Sequence, residues 1–106
     1  MITTNSSSKQ QLINNCVSIA KDLEKLSEAS FYEYLDDVLE LRYIIDSNFE
    51  YLGSELLITY GGPTIWVNTL YNKVKGSWGM DVFETHYSNQ DLDDFLNTYF
   101  QNTKIK

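Results

Sequence analysis

The chain predicts an α+β fold: two N-terminal helices, a four- to five-stranded antiparallel meander, and a C-terminal helix packed on the sheet. Three observations predict it. Apolar residues recur at helical spacing through the first part of the chain. From Leu41 the period falls to two, and β-branched and aromatic residues dominate. The apolar runs are then separated by short polar or glycine-bearing turns, which join antiparallel rather than parallel neighbours.

Residues 1–8, "MITTNSSS", read as a disordered tail, and 9–106 as one domain of modest core. The first helix, about 9–27, buries Leu12, Cys16, Ile19, Ala20, Leu23 and Leu26, with Ser8 as its N-cap. "SEAS" breaks it, and Ser27 or Ser30 caps a second helix over about 29–40. That helix turns Phe31, Leu35, Val38 and Leu39 inward. Glu33, Asp36, Asp37 and Glu40 then form one acidic stripe on its outer face. Like charges at this spacing cost helix stability, so the stripe marks a solvated face or a binding one.

Strands follow at about 41–46 and 53–60, joined by the polar turn "SNFEY", with Asp46 and Glu50 on this first hairpin. A third strand occupies 63–69. Gly61 and Gly62 before it supply positive φ for a reversal, and Pro63 opens it where no ladder donor is needed. Asn72 takes a left-handed conformation in the next turn. Strands at 73–78 and 82–87 complete the meander. Gly76 inside the fourth marks a bulge or a close approach by another element. Trp66 and Trp78 lie on one hairpin, either stacked or, one residue out of register, on opposite faces. The closing helix, "SNQDLDDFLNTYF", buries Leu92, Phe95, Leu96, Tyr99 and Phe100. Ser88 and Asp91 read as its capping box, and Asp91, Asp93 and Asp94 suit its dipole.

Charge restricts the function. The net charge is −7, and 28–55 hold eight acids against one arginine, whereas 56–80 hold no acid. A nucleic-acid binder working by counterion release needs the opposite sign, so no direct nucleic-acid binding is expected. One cysteine excludes an intramolecular disulfide framework and points to a reducing compartment. With no window long enough for a membrane span, the expected setting is a host-cell cytoplasm with no membrane partner.

No pattern carries chemistry, and no catalytic, cofactor-binding or metal residues are assigned. "GGPTIW" lacks the lysine and hydroxyl of a P-loop and the following helix of a dinucleotide site. His86 shares a strand face with Glu84, but no nucleophile is fixed beside them. One histidine and one cysteine make no metal cluster. The chain is read as a non-enzyme without cofactor.

The segment "GGPTIWVNT…GSWGMD", within residues 36–87, resembles small acidic proteins of phages and mobile elements of Gram-positive bacteria. They share a strand ending in GGP, an I-x-V-D/N-T strand and a G-x-W-G-x-D turn. In size and charge the chain is similar to anti-CRISPR inhibitors. This resemblance implies a stoichiometric, DNA-mimicking inhibitor of a host defence nuclease of the RNA-guided, Cas9 type. Its partner would be a basic nucleic-acid-handling protein, met through Glu33, Asp36, Asp37, Glu40, Asp46 and Glu50. A structural accessory protein, in which aromatic strands pair in a homodimer, and an antitoxin or immunity-type binder of a basic toxin are the alternatives.

Overall fold

The computed structural model describes residues 4–104, with side chains over 8–103. Helix α1 (Thr4–Lys25) leads through a 3₁₀ turn (Glu28–Ser30) into α2 (Phe31–Asp37). Five strands follow: β1 (Glu40–Ile45), β2 (Tyr51–Thr59), β3 (Thr64–Asn68), β4 (Lys73–Trp78) and β5 (Asp81–His86). Helix α3 (Gln90–Lys104) closes the chain. The strands form one sheet in the order β1-β2-β3-β4-β5, antiparallel throughout. The α+β meander is thus observed with all five strands.

Several boundaries differ from expectation. Helix α1 starts at Thr4, so Ser8 lies inside it rather than at its cap; residues 1–3 of the expected tail lie outside the described residues. The second helix ends three residues early. Val38 is already extended (φ −73°, ψ 130°), and the Leu39 amide donates to the Leu57 carbonyl at 2.8 Å. Sheet pairing outcompetes the helix there, because a β-branched residue loses little by extending and the ladder satisfies the next amide. Glu40 therefore belongs to β1 and not to the α2 stripe.

Helices α1 and α3 share one face of the sheet, α1 over β4 and β5, α3 over β2. Leu12, Cys16, Ala20 and Leu23 of α1 meet Leu56, Ile65, Val67 and Val74 of the strands, with Leu92 and Leu96 of α3 and Phe31 of α2. At Gly76 α1 closely approaches the backbone of β4. A Cβ placed there would stand 2.6 Å from the Cys16 Sγ and 2.8 Å from the Leu12 Cδ1. Both side chains are fully buried and have nowhere to move. Of the two expected readings of Gly76, close approach is correct, since the ladders on both sides of it run without a register shift.

At the β2–β3 turn, Gly61 has φ 101°, as expected, and Gly62 does not; the Gly62–Pro63 peptide is cis. Space at Gly62 is tight instead, because a Cβ there would lie 3.1 Å from the Trp78 Nε1. Asn72 (φ 56°) is left-handed, as expected. The cap of α3 is Asn89 rather than Ser88. The Asn89 Oδ1 accepts from the Leu92 amide, while its Nδ2 donates to the Leu23 and Leu26 carbonyls at the end of α1. The Ser88 amide instead donates to the Glu24 carboxylate. One asparagine thus satisfies orphan groups at the start of one helix and the end of another.

Gly76→Ala is expected to cost about 1–3 kcal/mol by overpacking, with Cys16→Ala in the same chain restoring part of the loss. Urea denaturation of the two variants measures both effects; an unchanged midpoint for Gly76→Ala contradicts the packing.

Candidate functional site

The six carboxylates singled out from sequence do not form one surface. Glu33, Asp36 and Asp37 are exposed together on α2. Glu40, on β1, is paired with Arg42. The Asp46 carboxylate is used by its own turn, where Oδ1 accepts from the Asn48 amide at 2.8 Å and the Glu50 amide at 3.0 Å. Glu50 is exposed in that turn beside Phe49, whose φ is 63°. Only the three on α2 retain the expected arrangement.

Their neighbour is a feature that sequence reasoning missed. Tyr32 stands one turn before Asp36 on α2 and is 65 % exposed. Its ring packs edge-on against Phe95 of α3 at 4.9 Å, and Tyr99 continues the row at 6.1 Å from Phe95. Tyr32 and Phe95 floor a groove of about 380 Å³, walled by Glu28, Asp91, Asp94 and Thr98. None of Glu28, Glu33, Asp36, Asp37, Asp91 or Asp94 has an ion-pair partner among the described residues. The signal was present as Phe95 and Tyr99 at i, i+4 on α3, with Asp91 and Asp94 on the adjoining positions. It was masked because the same residues also satisfy the core stripe and the helix dipole.

What turns α3 this way is a polar network under its first turn. The Asp93 Oδ1 accepts from the Tyr51 hydroxyl at 2.7 Å and from the Thr69 hydroxyl at 2.6 Å. The Ser54 amide donates to the Thr69 Oγ1, and the Ser54 hydroxyl lies 2.7 Å from the Tyr51 oxygen. With Tyr51 donating to Asp93, Ser54 donates to Tyr51. Asp93 therefore faces the sheet, and Asp91 and Asp94 face the groove. Nearby, the Tyr87 hydroxyl is buried with no partner among the described residues. Burial, followed by the negative charge of Asp22, pushes the Tyr34 phenol up to about 12. Burial first, and then Asp93, also raise Tyr51 and Tyr87.

The opposite sheet face has a different character. Two cross-strand rows run across it, Arg42–Glu55–Asn68–Lys73–His86 and Glu40–Leu57–Trp66–Lys75–Glu84. The Arg42 guanidinium lies 4.7 Å above the Trp66 ring and is held by Glu40. Lys73 reaches Glu84 at 3.3 Å, so Glu84 is paired with a lysine rather than with His86. Trp66 is on this face, whereas Trp78 packs against the helix-covered core. Of the two expected arrangements of the tryptophans, opposite faces is the one observed. Among the described residues no group of three His, Cys, Asp or Glu side chains converges on a possible metal position. The Cys16 thiol is buried, and burial raises its pKa. No helix among the described residues is long and apolar enough to cross a membrane.

No family model, curated protein or solved structure matches the chain.

Two outcomes follow from the network. Tyr87→Phe should leave stability unchanged or raise it by up to about 1 kcal/mol, while Asp93→Ala should cost about 1–3 kcal/mol, both read by urea denaturation. The raised phenols are neutral in the fold, so their contribution is complete below about pH 10 and lost as pH climbs through the folded values. Alkaline titration followed by tyrosine absorbance and circular dichroism together should show part of the phenolate signal appearing only with unfolding. Full ionisation of all tyrosines before any loss of structure contradicts it.

Proposed function

We propose that the protein is a stoichiometric inhibitor that docks the α2/α3 face onto a basic surface of a nucleic-acid-handling protein. A host defence nuclease of the RNA-guided type is the partner class implied by the resemblance of "GGPTIWVNT…GSWGMD" to small acidic phage proteins. One observation carries the reading: Glu28, Asp91 and Asp94, without ion-pair partners among the described residues, wall a groove floored by Tyr32 and Phe95, and Glu33, Asp36 and Asp37 stand exposed on the same helix α2 as Tyr32. Three of the acids elsewhere are engaged. Glu40 and Glu84 are neutralised by Arg42 and Lys73, and Asp46 holds a turn.

The chemistry of such a surface is that of a phosphate mimic with an anchor. Spaced carboxylates attract the arginine- and lysine-lined channel that a nuclease uses for its heteroduplex or for the duplex beside it. Steering raises the encounter rate, and it is screened by salt. Charge alone binds weakly. Tyr32, Phe95 and Tyr99 add the rigid aromatic area on which interface hot spots are built.

The test is a DNA-cleavage assay with a purified Cas9-type nuclease at increasing ratios of this protein. Wild type should inhibit near equimolar ratio, and the combined variant Glu33→Lys, Asp36→Lys, Asp37→Lys should lose inhibition by about a hundredfold or more with its circular dichroism unchanged. Glu40→Lys should inhibit as wild type does. Full inhibition by the triple variant, or none by wild type, overturns the proposal.

A further inference from the structure

Strand β1 stands at the edge of the sheet and is paired with β2 alone. Its outer side carries a row of backbone N–H and C=O groups, and among the described residues no other element bonds them. Proteins blunt such an edge with proline, with charges of one sign or with a bulge. β1 has no proline, its charges alternate in sign, and its bulge comes only at the far end, between Ile44 and Ile45. At the near end α2 stops at Asp37, and Val38 is already extended. The free edge thus runs from Val38 to Ile44, and Leu41 is its midpoint. Within it Leu39, a large apolar residue, is left 61 % exposed.

Charge is arranged symmetrically about that midpoint. Glu40 and Arg42 share the open face on either side of Leu41, which packs toward the helices. Consider a second copy of β1 laid antiparallel along this edge and centred on Leu41, with the two-fold axis normal to the sheet. Both copies then keep their helices on the same side, and directly opposed side chains share a face. Glu40 lies opposite the copy's Arg42, and Arg42 opposite the copy's Glu40, so the pair occurs twice, as an isologous contact requires. Each arginine has one glutamate beside it along its own strand and a second across the junction. Leu41 meets the copy's Leu41, and the exposed Leu39 meets the copy's Tyr43. Neighbouring registers lose this match. Centring on Glu40 or on Arg42 sets like charges opposite each other. A slip of one residue puts Leu41 against Glu40 or Arg42 and brings the helices to opposite sides. Charge and the free length of the edge therefore select the same register. We infer that β1 pairs antiparallel with β1 of a second copy of this chain, through reciprocal Glu40–Arg42 pairs about Leu41, so that two five-stranded sheets become one.

The junction is one strand long, which buries less than a standard interface, and its ion pairs are exposed. The dimer is accordingly weak and populated at high local concentration. Two chains of net charge −7 also repel each other at longer range, so salt relieves one interaction while it screens the other. Reversal of the paired charges, rather than salt, is the deciding measurement. The inference stands on β1 alone and does not depend on the proposed function.

Sedimentation velocity from micromolar to millimolar concentration tests it. Wild type should dimerise. Glu40→Arg and Arg42→Glu should each weaken self-association by about tenfold or more, because each sets two like-charge pairs across the junction. Both side chains are exposed, so circular dichroism should show each variant folded. An equimolar mixture of the two variants should associate to within about threefold of wild type, since one chain then supplies both glutamates and the other both arginines. A chain carrying both changes, which keeps its internal pair and exchanges the signs, should do the same. A wild-type chain monomeric at millimolar concentration overturns the inference. So does a dimer that neither single reversal weakens, or a mixture or double swap that fails to recover.

Discussion

The contact between α1 and Gly76 is the constraint from which the rest of the architecture follows. A sheet strand that carries a side chain at every inward position holds a helix at arm's length. Here the missing Cβ lets Cys16 and Leu12 reach the backbone of β4. With α1 that close, Leu23 and the end of the helix sit beside the segment that follows β5. There Asn89 bonds both the last carbonyls of α1 and the first turn of α3. The position of one helix is thereby passed to the other through a single amide side chain. A looser seat for α1 would displace Asn89 and, with it, the start of α3.

The second point of attachment decides which way α3 faces. Successive helical residues are 100° apart, so of three neighbouring aspartates only one can point at the sheet. The hydroxyls of Tyr51 and Thr69 choose Asp93. Asp91 and Asp94 are then turned outward, and Phe95 is carried to the side of α2, where it meets Phe31 and Tyr32. The network that stabilises the fold therefore also assembles the acidic, aromatic groove. Stability and the make-up of the groove are coupled through the rotation of one helix, and a change to Thr69 or Tyr51 reaches the groove without touching it.

Much of this architecture was legible in the chain, and the reasons are local. Strands of alternating pattern, left-handed Asn72 and the reversal at Gly61 are dictated by residues within a few positions of one another. What escaped depends on partners distant in sequence. Glu40 continues the helical acidic spacing perfectly well, and only the bond from the Leu39 amide to Leu57 moves it into a strand. Ser88 is as good a cap as Asn89 until the carbonyls of α1 arrive. Gly62 reads as a turn residue, whereas its real neighbour is the indole of Trp78. For the site, the α2 carboxylates were legible because they lie on one helix. The aromatic row was not, because it is shared between α2 and α3.

The two faces of the molecule also explain how an acidic chain avoids being uniformly repulsive. On the sheet, each strand alternates inward and outward, and antiparallel neighbours bring residues from distant segments into register. Two of the three acids on its open face acquire cationic partners: Glu40 has Arg42 and Glu84 has Lys73. Among the described residues no basic side chain pairs with Glu33, Asp36 or Asp37 on the short helix α2, and the one arginine is engaged on β1. Charge is therefore sorted by secondary structure. The helical side is left with a concentrated negative field, and the sheet side with a neutral, aromatic-centred surface.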